Sequence, residues 1–217
     1  MPEGVPIEEA YHTLLENRFN STGSGRKYEF INFAVAGYSL IQYVTTIRRK
    51  VLEYSPDVIL IGFCAANDSK LPNMENFKSP YKVKSEANGF FHFYSLEYLG
   101  NIYKTYYKKL RGRYSGYNAD PEYVETQFAE LAKISAEQRI PIVIAYIDNK
   151  AASADLIFVR ESAQRYGFEF IDATVNFSRE ISEDHIIYLT DKHPNGKANI
   201  VLADTLYPIL KSLSPFN

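Results

Sequence analysis

Tryptophan is absent from this chain, cysteine occurs once, and no apolar run approaches the roughly 20 residues that a membrane span requires. A single cysteine, Cys64, excludes an internal disulfide and a cysteine-rich zinc site. A formal net charge of -2 argues against a general binder of nucleic acid or other polyanions. The opening Met1-Pro2-Glu3-Gly4 has neither the basic nor the apolar stretch of a signal peptide. A cytosolic protein fits these absences, as does a mature secreted domain whose leader lies outside the chain. No internal repeat is visible. What is abundant is tyrosine, at 18 residues, which combines apolar area with a hydroxyl and suits half-wet clefts.

At 217 residues the default is one domain, 1–217. Helical and strand patterns alternate, which predicts an α/β fold with a mostly parallel sheet. Ile7, Tyr11, Leu14, Leu15 and Phe19 share a helical face, with Pro6 just inside its start and Glu8 and Glu9 in the first turn. Tyr28 to Ala34 reads as a strand. Ser39 and Gln42 form a capping-box pattern opening a helix with Tyr43, Ile47 and Val51. Asp57 to Phe63 and Ile140 to Ile147 are short apolar runs of the kind buried on both faces of a sheet, and Phe168 to Ile171 is a shorter strand. Helices are expected over Asp120 to Glu137, Ala151 to Tyr166 and Asn195 to Leu213, the last kinked at Pro208. Residues 69–118 break the alternation. They hold one helical pattern (Leu96, Leu99, Tyr103, Tyr106, Leu110) in an aromatic-rich insertion that reads either as a substrate lid or as a packed surface excursion. Lys104, Lys108, Lys109, Arg111 and Arg113 are most simply the solvated side of that helix.

Three segments carry chemistry. Leu189-Thr190-Asp191-Lys192-His193-Pro194-Asn195 places a carboxylate and an imidazole on one loop ahead of a helix. A catalytic imidazole needs such a carboxylate to fix its tautomer and stabilise the imidazolium. Ile31 to Ser39 is a strand pattern running into Gly37, a position suited to a turn needing positive φ. Ile59 to Asp68 is a strand pattern ending in Asn67-Asp68, where an asparagine either bonds turn backbone or donates to a developing oxyanion. Asp68 reads as a brace for that loop and Ser39 as a helix cap. Cys64, at an apolar strand end, reads as buried and structural. His12, His92 and His185 have weaker claims than His193.

Together the three segments resemble the GDSL/SGNH hydrolase family, with the glycine, asparagine and histidine blocks in order. The family's Asp-x-x-His is shortened here to Asp191-x-His193, and Ala65-Ala66 replaces the more usual Gly-x before Asn-Asp. The resemblance implies a three-layer flavodoxin-like α/β sandwich and hydrolysis of a carboxylic ester, or transfer of an acyl group such as acetyl. It assigns His193 as base then acid, Asp191 as its orienting partner, and the Gly37 N–H and Asn67 side chain as oxyanion donors. It implies no metal or organic cofactor and a small ester or acylated partner. All four residues are expected in one cleft at the C-terminal edge of the sheet.

The family's fourth block, Gly-Asp-Ser with the nucleophile, does not occur in these 217 residues. Three explanations stand: a shortened form of a longer protein, a binding or assembly protein that kept the fold without catalysis, or a nucleophile supplied by another residue. The start close to a motif edge favours the first. Localisation follows: cytoplasmic if Met1 is the true start, secreted or membrane-anchored if the chain is shortened. The resemblance further implies that the family's first strand, which lies between the second and third, is missing. Tyr28–Ala34 and Asp57–Phe63 are then expected either to pair directly or to pair across two chains of a homo-oligomer.

Overall fold

The computed structural model describes residues 5–22, 25–35, 37–70, 119–148, 153–174 and 194–213, the side chain of Ala66 excepted. All belong to one compact unit, so the predicted helix near Leu96–Leu110 and the rest of the aromatic insertion beyond Lys70 lie outside the described residues.

The elements are α1 (Tyr11–Ser21), α2 (Leu40–Arg49), β1 (Ile59–Phe63), the short helical turn α3 (Ala65–Asp68), α4 (Pro121–Gln138), β2 (Ile142–Tyr146), α5 (Ala154–Arg165), β3 (Glu169–Asp172) and α6 (Gly196–Ser212). The strands form a parallel sheet in the order β1-β2-β3, with Ile61 opposite Ile144 and Ile144 opposite Phe170. Helices cover both faces. On one, α2, α4 and α5 bury Val44, Ile47, Phe128, Leu131 and Val159 against Ile59, Ile61, Phe63, Ile142 and Ile144. On the other, α1 and α6 bury Leu15, Phe19, Leu206 and Leu210 against Val143, Ala145 and Ile171. Every residue of β2 is buried, as a central strand between two helical layers requires.

Local chemistry explains most boundaries. Gln42 Oε1 accepts from the Ser39 backbone N–H at 2.7 Å, the reciprocal half of the capping box at the start of α2. Asp120 caps α4 by accepting from Tyr123 N–H at 3.2 Å, with Pro121 in the first turn, and Ser153 caps α5 through Leu156 N–H at 3.1 Å. α6 continues as one helix across Pro208. The first predicted helix is split: a 3₁₀ turn at Ile7–Glu9 ends at the extended, fully buried Ala10, and α1 begins at Tyr11.

One expected strand is not formed. Residues 28–34 form no strand, and side chains of α1 hold the backbone at Tyr28 and Phe30 instead. Asn20 brackets Tyr28, accepting from its N–H at 2.8 Å and donating to its carbonyl at 2.9 Å, and Glu16 accepts from Phe30 N–H at 2.7 Å. A strand exists only beside a hydrogen-bonded neighbour; the Tyr28 and Phe30 amides are taken by α1, and no described strand meets the rest of the segment. Phe30 packs on the α1/α6 core and Phe33 on the opposite one, so the segment still supplies side chains to both layers.

β1 therefore has one open edge among the described residues. Ile59 N–H donates to Pro141 O at 3.0 Å and Ile147 N–H to Phe63 O at 2.8 Å, so the odd-numbered residues of β1 face β2. Leu60 and Gly62 turn their backbone groups the other way, where no described strand meets them. Neither direct pairing with residues 28–34 nor any other closure of that edge occurs within the described chain.

Candidate active site

The C-terminal end of β1 passes through Cys64 into α3. Asn67 N–H and Asp68 N–H both return to the Cys64 carbonyl, at 3.0 and 2.8 Å, which winds the turn tightly and leaves Asn67 exposed. Among the described residues the Asn67 side chain makes no hydrogen bond, so its amide donors are unspent. Gly37 occupies a second turn, closed by Tyr38 N–H donating to Val35 O at 3.2 Å. Its φ of +77° is one that side-chain-bearing residues rarely adopt, and open space surrounds it.

Asp68 and Tyr43 join these turns. Asp68 is 1% exposed, and Oδ2 accepts from Cys64 N–H at 2.6 Å while Oδ1 accepts from the Tyr43 hydroxyl at 2.9 Å. The same hydroxyl lies 3.5 Å from the Tyr38 carbonyl. One phenol from α2 thus touches the residue after Gly37 and the residue after Asn67. Burial raises the Asp68 carboxyl to about 7, against the opposing pull of the bonds from Cys64 and Tyr43. Burial, then the adjacent Asp68 charge, holds the Tyr43 phenol well above its usual value.

The start of α6 belongs to the same edge of the sheet. Ala198 and Leu202 pack with Ala173, just beyond β3, and with Ile147, just beyond β2. Asn195 caps the helix through Ala198 N–H at 3.1 Å. Asn199, buried, accepts from Tyr11 N–H at 3.1 Å and donates to Asn195 O at 2.9 Å, clasping the start of α1 to the start of α6. The Tyr11 hydroxyl reaches Gly62 of β1, 3.3 Å from where a Cβ would stand.

Asp191 and His193 lie outside the described residues, immediately before Pro194. The Tyr43 hydroxyl links the turn that holds Gly37 to the turn that holds Asn67. Two described serines are committed elsewhere: Ser39, 3% exposed, sits in the capping network with Gln42 and Tyr123, and Ser69, fully buried, donates to Ala65 O at 2.6 Å. Cys64 is half-buried rather than buried, one residue beyond the end of β1. Among the described residues no group of three His, Cys, Asp or Glu side chains gathers as metal ligands would. Sequence reading missed Tyr43 and Asn199. Both sit at helix positions that periodicity assigns to packing, and the only hint was a polar atom on an otherwise apolar face.

No family model matches the sequence, and no curated protein matches it significantly. Solved structures do. The acetyl xylan esterase AlAXEase is 16% identical, over 94% of this chain and 91% of that one, with a TM-score of 0.56. TesA is 14% identical, over 96% and 91%, at 0.60, and the psychrotrophic esterase EstA from Pseudoalteromonas sp. is 14% identical, over 97% and 90%, at 0.59. This chain has the SGNH/GDSL hydrolase fold. Within that α/β fold the described sheet is small, with three parallel strands. AlAXEase and EstA are described as esterases, and no helix among the described residues of this chain is long and apolar enough to cross a membrane.

Proposed function

We propose that this chain carries the oxyanion and acid–base parts of an SGNH-type ester-hydrolase site, acting on a carboxylic ester such as an acetyl ester. The observation that carries the reading is the joining of the Gly37 and Asn67 turns through Tyr43 at the C-terminal edge of β1. Backbone N–H of Gly37 and the amide of Asn67 are the two donors that a tetrahedral oxyanion needs, preorganised before reaction. In sequence His193 precedes Pro194 and Asn195, and the helix that Asn195 caps packs on the same edge. In this role His193 takes a proton from water as it attacks the carbonyl. Asp191 steadies the imidazolium, and the proton then passes to the departing alkoxide.

The 217 residues contain no Gly-Asp-Ser, so the covalent step is lacking and turnover is weak. Loss of one triad member leaves about 10³–10⁴-fold over water from binding and oxyanion stabilisation alone. We expect p-nitrophenyl acetate to be hydrolysed little faster than by free imidazole, with no burst and no fluorophosphonate labelling. His193→Ala and Asn67→Ala should each lower the residual rate. A burst abolished by fluorophosphonate would overturn the missing-nucleophile part of this reading. A rate indifferent to both substitutions would replace it with the second reading, a noncatalytic binding protein, which the engagement of Ser39 and Ser69 in structural bonds favours.

A further inference from the structure

We propose that Asp68 is a positioning residue that, through the single hydroxyl proton of Tyr43, couples the Asn67 turn to the Gly37 turn; the functional meaning of this coupling rests on the oxyanion role proposed above. Tyr43 has one proton and two acceptors within reach, Asp68 Oδ1 at 2.9 Å and Tyr38 O at 3.5 Å. It cannot serve both at full strength. When Asp68 is ionised, the nearer and charged acceptor takes the proton, and the Tyr38 carbonyl loses its donor. When Asp68 is protonated, the direction of the chain reverses. Oδ2 still accepts from Cys64 N–H, so the acid proton sits on Oδ1 and is donated to Tyr43, which is then free to donate to Tyr38 O. The proton on Asp68 thereby becomes a hydrogen bond on the residue next to Gly37.

The groups facing Asp68 support this placement. Tyr43 approaches from α2 and the Cys64 amide from the end of β1, and the Cys64 thiol and the Tyr11 phenol of α1 act on Tyr43. Burial raises the carboxyl to about 7, so the exchange falls in an accessible pH range. Asparagine at this position copies the protonated state. Its Oδ1 would accept from Cys64 N–H, and its amide would donate to Tyr43.

The test is a pH titration of the intact chain by nuclear magnetic resonance, without ester. The reporters are the Tyr38 carbonyl carbon and the exchange protection of the Tyr38 amide, which closes the Gly37 turn on Val35. In the wild type both should change with one midpoint near neutrality, with protection lower at high pH by about fivefold after correction for base catalysis, the effect of one modest hydrogen bond. Asp68→Asn should hold the low-pH values throughout. Tyr43→Phe should hold the high-pH values throughout. The coupling is overturned if Tyr38 stays still while the Cys64 amide titrates, if neither moves between about pH 5 and 9, or if Tyr38 titrates unchanged in either variant. Should Asp68→Asn not fold, Tyr43→Phe decides alone. A chain that passes this test yet shows no His193-dependent ester turnover retains the coupling and loses the hydrolase reading.

Discussion

Two single-residue observations lead to measurable stabilities. Gly37 holds a φ of +77° with open space where a Cβ would stand, so Gly37→Ala meets backbone strain and no collision. Left-handed backbone costs an L-residue roughly 1–2 kcal/mol, and a denaturant midpoint should report a loss of that size. Asp68 gives the second case. Its carboxyl is raised in the folded chain to about 7, from an ordinary 3.8. Below the lower value both states hold the proton and the contribution is fully present. Between the two the native state keeps a proton that the unfolded state has released, so stability falls as pH rises through that window and levels off above it. Urea midpoints compared at the two ends of the window should show this fall in the wild type and a smaller one in Asp68→Asn. Asp68 was legible as a brace because a carboxylate ending a buried strand has little else to bind. Its partner Tyr43 was not, because helical periodicity gives a tyrosine a face without saying where its hydroxyl goes.

At the level of elements, the legible features were those with local causes. Asp120-Pro121 opens α4, Ser39 opens α2, and Asn195 opens α6, each with a side chain or ring that acts within its own turn. β2 was visible as an apolar run because burial on both faces leaves no room for polar residues, and β1 was visible for nearly the same reason, whereas β3 showed only through Phe170 and Ile171 between exposed Glu169 and half-buried Asp172. The strand expected over residues 28–34 is absent for a tertiary reason: its side chains reach both cores, but the Tyr28 and Phe30 amides bond Asn20 and Glu16 and no described strand lies beside it to complete a ladder. The Asn199 clasp was equally hidden, since the bond joins residues 188 positions apart. Removing it by Asn199→Ala leaves the first N–H of α1 without its acceptor in a part-buried site, and a buried donor left unmet costs about 1–3 kcal/mol. Thermal unfolding should drop accordingly. Amide exchange at Tyr11 should rise more than at the distant Tyr123, and equal change at both would show that the clasp is not local to the α1–α6 junction.

Across the whole molecule, the edge of β1 that no described strand pairs bears on both the fold and the proposed site. Leu60 and Gly62 present backbone groups to that edge, and Ile31 and Val35 elsewhere in the described chain are 45% and 46% exposed. A β-strand supplied there would pair the unmet groups and cover apolar surface, each Å² being worth about 25 cal/mol. Its end would also lie at the Gly37–Asn67 site. We therefore expect that fusing an apolar strand ending in Gly-Asp-Ser ahead of residue 1 raises the melting temperature by several degrees, at about 2–4 °C per kcal/mol for a chain of this size. The same fusion should produce burst kinetics on p-nitrophenyl acetate. A strand ending in Gly-Asp-Ala separates the two effects, since it offers the same backbone and apolar area without the nucleophile. It should recover the melting temperature and none of the turnover. If neither fusion is more stable than the chain alone, the edge is already satisfied in solution, and a complete noncatalytic domain becomes the better account. If both are more stable and turn over ester equally, the added serine is not the nucleophile, and the acid–base residues act on water alone.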